Sequence, residues 1–226
     1  MKDGGILLGV DTCGPSGSIA LGRVHAGKIE LLGQTEIAGG EYAARLVQGI
    51  VELLAAAGVT VGELAGIVAV AGPGSFTGIR IGLAAVKAIA EAAGLPVVTV
   101  SRLALLAEVG TAACAVLDAH RGQFYCGMYG DGVDGASGLR EMLLTAGEIN
   151  AMGGLAGRVA VCEETVAQLL EELYGEPELI RVAAPTAAAA LRFSLAKWLD
   201  GELADVATLD GYYLRGADAK VNSRLG

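Results

Sequence analysis

The sequence predicts an α/β protein built from two related halves, and three observations carry that reading. Short apolar strands alternate with segments of helical period along the 226 residues. An apolar strand ending in aspartate, a Gly-bearing turn and a second strand run from Ile6 to Val24, and the same layout returns from Ala113 to Tyr129. The residues are 53% hydrophobic and 18% charged, the balance of a chain that folds around a core, yet only 4% are aromatic. Ala, Val, Leu and Ile must therefore fill that core, and 35 glycines allow backbones to approach closely.

The elements follow in order. Ile6–Asp11 reads as a buried strand ending in a carboxylate, Thr12–Gly17 as a turn, and Ser18–Val24 and Lys28–Ile37 as two further strands. After Gly39-Gly40, the residues Ala43, Leu46, Val47, Ile50, Val51 and Leu54 fall at helical spacing, and Gly58 ends that helix. Thr60 and Glu63 have the spacing of a capping box, and Ile67–Ala71 is another apolar strand. The string Gly72-Pro-Gly-Ser-Phe-Thr-Gly78 then opens a helix reaching about Ala93, where Gly94 and Pro96 stop it. Val97–Val100 reads as a strand, and Ser101 can cap a short helix. The second half restarts with the strand Ala113–Asp118, the turn Ala119–Gly122 and the alternating strand Gln123–Tyr129. Helical pattern covers Thr145–Met152, Glu164–Tyr174 and Thr186–Leu199, with a strand over Arg158–Cys162. The expected organisation is an N-terminal lobe over residues 1–100 and a C-terminal lobe over 101–226, the chain end returning to the first lobe.

Composition excludes several function classes. A net charge of −9 and a pI near 4.7 make the average surface repel phosphate backbones, so binding of nucleic acid by this chain alone is not expected. No uninterrupted apolar run is long enough to span a membrane. Met1–Gly5 leads directly into a strand-like run, without the apolar stretch of a secretory leader, so a cytoplasmic protein is expected. Cys13, Cys114, Cys126 and Cys162 form no CxxC pair and read as free thiols of a reducing compartment.

The Gly72–Gly78 string sits between a strand and a helix, where free backbone N–H groups can face an anion. It departs from a phosphate-binding loop, because Ile79-Arg80 stands where Lys-Ser/Thr would follow the last glycine. Taken alone, it is either a tight strand-to-helix turn or an anion cradle.

As a longer string, Ala71-Gly-Pro-Gly-Ser-Phe-Thr-Gly-Ile-Arg-Ile-Gly-Leu-Ala-Ala85 resembles the signature of the TsaB family, also called YeaZ. The likeness extends to Ile6–Leu21, Val97–Ala104, Val116–Tyr125 and the closing Gly211-Tyr-Tyr-Leu-Arg215, in the family's order; residues 130–157 have no clear counterpart. The resemblance implies an actin-like, sugar-kinase-type fold of two α/β lobes around a cleft. It further implies an accessory, non-catalytic subunit that pairs with a TsaD-type catalytic subunit and works with a TsaE-type ATPase. That complex transfers a threonylcarbamoyl group to an adenosine of tRNA, so this subunit would meet tRNA only indirectly. Self-association as a homodimer through the same helical surface is also implied.

Catalytic equipment reads as incomplete. Catalytic relatives bind a metal through closely spaced histidines on the first long helix, whereas this chain has only His25 and His120, and that helix opens Glu41-Tyr42. A peptidase-like role is thereby left without chemistry, and no metal is expected. Asp11 and Asp118, each ending the first strand of its half, are candidates for nucleotide-site carboxylates or for structural remnants of such a site. Pro15 removes a donor from the first turn, and Cys162-Glu163-Glu164 stands where a glycine pair would admit adenosine. No cofactor is expected; the alternative is an ATP-dependent kinase or ATPase of the same fold. Cys13 has no visible activating partner, and no serine sits in a nucleophile elbow.

The helix from Phe76 to Ala93 is apolar over more than one face, and a stripe not packed on its own sheet needs another helix to cover it. With the family resemblance added, the expected partner interface comprises Arg45, Ser75, Phe76, Thr77, Ile79, Arg80, Leu83, Val86 and Lys87.

Overall fold

The computed structural model describes residues 4–129, 139–155, 157–174 and 178–215. Residues 1–3 and 130–138, the first part of the stretch without a family counterpart, lie outside them. Two five-stranded mixed sheets are present. The first contains β1 (Ile6–Asp11), β2 (Ser16–His25), β3 (Lys28–Ala38), β4 (Leu64–Gly72) and β5 (Val97–Ser101), in the order β3-β2-β1-β4-β5. The second contains β6 (Cys114–Asp118), β7 (Gln123–Tyr129), β8 (Leu139–Thr145), β9 (Val159–Val161) and β10 (Leu179–Arg181), in the order β10-β9-β6-β7-β8. In each sheet the first three strands form an antiparallel meander and the last two join in parallel. The halves therefore share one topology, and the second sheet is a shortened copy of the first.

The helices repeat as well. α1 (Tyr42–Ala56), α2 (Phe76–Ala93) and α3 (Arg102–Gly110) stand in the first half where α4 (Ala146–Ala151), α5 (Glu164–Tyr174) and α6 (Ala187–Phe193) stand in the second. A further helix, α7 (Leu195–Asp200), follows. α1 starts at Tyr42 and buries Leu46, Gly49, Ile50, Leu53 and Leu54, one stripe at helical spacing. α2 begins at the N-cap Ser75, whose Oγ accepts the Gly78 N–H at 3.2 Å, and ends at the left-handed Gly94. Ser101 caps α3 as its position implied, accepting from Leu103 and Ala104. The Thr60–Glu63 box also forms, the Glu63 carboxylate taking the Thr60 N–H at 2.8 Å.

The third helix of each half crosses to the other half. α3 packs on β6, β7 and β9, while α6 lies on β1, β2 and β4, and the two helices touch. Ala187 and Leu191 of α6 approach the first sheet where Gly9 and Gly22 lack side chains, and Ser18 Oγ accepts the Ala187 N–H at 2.8 Å. Trp198 of α7 is buried over Gly66 in the same core. The single helix expected over Thr186–Leu199 is broken at Ser194, a fully buried serine whose hydroxyl donates back to the Leu191 carbonyl at 3.2 Å. β8 and β10 were not among the strands expected from the sequence. Beyond α7 the chain runs back along the first lobe, pairing Ala204 with Val97 and donating the Tyr212 N–H to the Ala71 carbonyl, both at 2.8 Å.

Candidate functional site

A cleft of about 860 Å³ opens between the lobes. Its walls are the β1–β2 turn, the first turn of α2, the β6–β7 turn and the start of α5. The β1–β2 turn is held tightly from several sides. Thr12 Oγ1 donates to the Gly78 carbonyl at 2.8 Å, the Ser75 N–H donates to the Cys13 carbonyl at 2.8 Å, and Tyr42 Oη donates to the Gly14 carbonyl at 2.9 Å. A Cβ at Gly74 would collide with the Cys13 carbonyl, and one at Gly78 with the Thr12 carbonyl. The glycines of the Gly72–Gly78 string thus let the two strand-terminal turns touch, and the Gly72–Pro73 bond within it is cis.

Asp11 and Asp118 occupy equivalent places, and each is engaged by its own turn. Asp11 Oδ1 accepts the Cys13 N–H at 2.9 Å, and Asp118 Oδ1 accepts the His120 N–H at 2.6 Å. Asp118 Oδ2 also lies 2.9 Å from His120 Nδ1. Asp11 is fully buried, and burial pushes its pKa up against the opposing pull of Arg102 and the Cys13 N–H. The Cys13 thiol donates to the Val70 carbonyl at 3.2 Å. Burial, then the Asp11 charge, holds that thiol well above its ordinary range, and burial pushes Cys162 to about 11. Neither sulfur is poised as a thiolate nucleophile. No cluster of three or more His, Cys, Asp or Glu with metal-binding geometry occurs among the described residues.

The cleft carries residues that sequence reasoning did not single out as a site. Arg102, the first residue of α3, is only 3% exposed, lines the cleft and leaves its Nε without a hydrogen-bond partner. Burial pulls its pKa down, but the nearby Asp11, Cys13, Cys162 and Glu163 outweigh that and keep it charged. Arg121 and Arg215 line the same cleft, and Arg215 Nη2 donates to the Ala119 carbonyl at 2.7 Å and to Gln123 Oε1 at 2.8 Å. Glu163 Oε2 accepts the Asp118 N–H at 2.8 Å, which ties α5 to the β6 terminus. One signal for Arg102 was available: a cation at the first position of a helix opposes the helix dipole, so a nearby negative group had to compensate.

The residues expected at a partner interface fall into two sets. Ile79, Leu83 and Val86 are buried in this chain's own core, since they form the stripe of α2 that faces the first sheet. They are core residues rather than interface residues, since a buried side chain has no surface to offer a partner. Arg45, Ser75, Thr77 and Arg80 are exposed, and Phe76 is 46% exposed. Arg80 stacks 3.6 Å from the Phe76 ring centroid, and Tyr213 meets the same ring at 5.2 Å. Lys87 is half-buried and holds the chain end, donating to the Ala207 and Leu209 carbonyls at 3.2 Å. Absent from the expected set are Val47 and Val51, one turn apart on α1 and 59% and 58% exposed. With Ala44 and Ala55 they form an apolar stripe, and Ala84 and Ala88 are exposed one turn apart on α2, which packs against α1.

Comparison with known proteins bears on this geometry. The sequence model of the family described as TsaD, tRNA N6-adenosine threonylcarbamoyltransferase, matches residues 34–172. An uncharacterized protein of Mycobacterium tuberculosis is 33% identical over 129 residues, covering 56% of this chain and 60% of the relative. The tRNA threonylcarbamoyladenosine biosynthesis protein TsaB of Escherichia coli is 30% identical over 132 residues, 54% of each chain. These alignments span about 60% or less of the curated relatives' own length. The structure of YeaZ from Pseudomonas aeruginosa superposes with a TM-score of 0.73 at 26% identity, covering 93% of this chain and all of that one. With its duplicated mixed sheets and the family match over residues 34–172, this chain belongs to the tRNA N6-adenosine threonylcarbamoyltransferase family, in its TsaB (YeaZ) branch.

Proposed function

We propose that this chain is a non-catalytic accessory subunit of a tRNA threonylcarbamoyladenosine-forming complex, docking on a TsaD-type catalytic subunit through α1 and α2. The observation that carries the reading is the uncovered apolar face on those helices. Val47 and Val51 stand clear of the chain's own core on α1, which packs against α2, and an exposed apolar stripe of this kind marks a surface that a partner covers. Exposed Phe76, stacked under Arg80, supplies the kind of aromatic and guanidinium anchor that dominates interfaces. Self-association uses the same face and competes with docking. A TsaE-type ATPase joins the complex, and the net charge of −9 leaves tRNA to the other subunits. The four free cysteines suit the reducing cytoplasm where such a complex works. In support of a non-catalytic role, Asp11 is buried behind the cleft wall and Asp118 is engaged by its own turn.

Co-purification tests the proposal. Mixed at micromolar concentration with the TsaD-type protein of its own organism, the chain co-elutes as a stable complex. Val51→Arg weakens that complex by roughly tenfold or more while leaving the isolated chain folded, with an unchanged circular-dichroism spectrum, because the site is exposed. Failure to co-elute, or binding indifferent to charges at both Val47 and Val51, sinks the idea. Calorimetric binding of magnesium-ATP by the isolated chain, lost in Asp11→Ala, would instead support an ATPase of the same fold.

A further inference from the structure

The interlobe cleft has a charge pattern that docking through α1 and α2 does not use. In a chain of net charge −9, three arginines, Arg102, Arg121 and Arg215, line one cavity. The acidic side chains on its wall are Asp118 and Glu163, and both already accept hydrogen bonds from the protein. The Nε atoms of Arg102 and Arg215 are buried and have no partner. An unpaired buried guanidinium donor is costly, and such a group calls for an acceptor. The first turn of the 18-residue helix α2 adds donors at the same cavity, since the Phe76 and Thr77 N–H groups find no partner inside the helix.

The pattern also indicates which anion fits. A metal-bound phosphate needs carboxylates free to hold the cation, and here Asp11 is buried away from the cleft wall while both oxygens of Asp118 face His120, one on its N–H and one on Nδ1. Arg102 acts on Asp11 as a fixed cation, and Gly14 must lack a side chain because a Cβ there would strike Arg102 Nη2. A second, metallic cation would be repelled.

We propose that the interlobe cleft binds a metal-free oxyanion, the phosphate or carboxylate group of a small molecule, on Arg102, with Arg121, Arg215 and the first turn of α2 around it. The inference does not rest on docking: loss of one leaves the other standing.

Inorganic phosphate is the first probe and acetate the second, each at matched ionic strength against chloride. Phosphate or acetate is expected to raise the melting temperature by about 2–4 °C once several-fold above its dissociation constant. Phosphate binding is read directly from ³¹P line broadening. The response is lost in Arg102→Met and weakened several-fold in Arg121→Asn, a change at an exposed residue whose left-handed backbone (φ 59°) asparagine tolerates. The arm that responds identifies the source of the oxyanion. Should Arg102→Met fail to fold, Arg121→Asn decides, and unchanged phosphate affinity there overturns the proposal. So does a wild-type chain that responds to neither anion, or a phosphate response that appears only with magnesium.

Discussion

Gly78 shows at the residue scale why the strand-to-helix string is rich in glycine. It lies at the third position of α2, a place where alanine is favoured by helix propensity, yet an added Cβ would press on the Thr12 carbonyl. That carbonyl belongs to backbone pinned by the Ser75 and Tyr42 bonds to its neighbours, so it has little room to yield. Gly78→Ala is therefore expected to destabilise the fold by about 1–3 kcal/mol despite the better propensity. Gly62→Ala, at a site with nothing within 4 Å of an added Cβ, should change stability by less than about 0.5 kcal/mol. Urea denaturation of both variants separates the two, and a Gly78→Ala protein as stable as wild type would return the string to an ordinary flexible turn. The sequence displayed these glycines plainly but left their purpose open between anion cradle and tight turn, because the deciding neighbour, Thr12, is 66 positions away.

At the scale of elements, local chemistry explains which segments were legible. α4 announces itself through Thr145 and Glu148: the Glu148 carboxylate takes the Thr145 N–H and hydroxyl, both at 2.8 Å, and those bonds lower its pKa. A carboxylate depressed on folding contributes stability that is present above its unfolded pKa and is lost as pH falls through the folded value. The melting-temperature gap between wild type and Glu148→Ala is thus expected to be small, on the order of a degree, at neutral pH. It should close below about pH 4 as the carboxylate protonates. A gap that persists in acid would mean that Glu148 acts through packing. β8 and β10 carried no such local mark. β8 alternates weakly in Leu-Arg-Glu-Met-Leu-Leu-Thr and is a strand because β7 pairs with it, and β10 has three residues defined by pairing with β9. The split between α6 and α7 was hidden likewise, since serine breaks a helix only when its burial leaves the hydroxyl no better acceptor than its own backbone.

Over the whole molecule, the duplicated halves were readable from two strand-terminal aspartates, but the exchange of α3 and α6 between sheets was not. Helical spacing tells which side of α6 is buried; only the missing side chains of Gly9 and Gly22 in the opposite half tell what it is buried against. The same non-local logic governs residues 201–215. After α7 the chain follows β5 through Ala204, crosses α2 at Lys87, pairs with β4 through Tyr212 and reaches the β6–β7 turn through Arg215. This segment joins the lobes without a helix or strand of its own, so discrete side-chain bonds must fix its path. Lys87 Nζ supplies two of them, charge-assisted donations to the Ala207 and Leu209 carbonyls. Lys87→Ala is expected to cost about 1–2 kcal/mol in global stability. Its larger effect should be on local opening: faster amide exchange at Ala204 and Tyr212, with exchange in β1 and β4 accelerated only as far as the loss of global stability allows. Hydrogen-exchange mass spectrometry compares the two proteins directly. If protection of the chain end is unchanged in Lys87→Ala, Arg215 and the aromatic contact between Tyr213 and Phe76 hold the segment without help from α2.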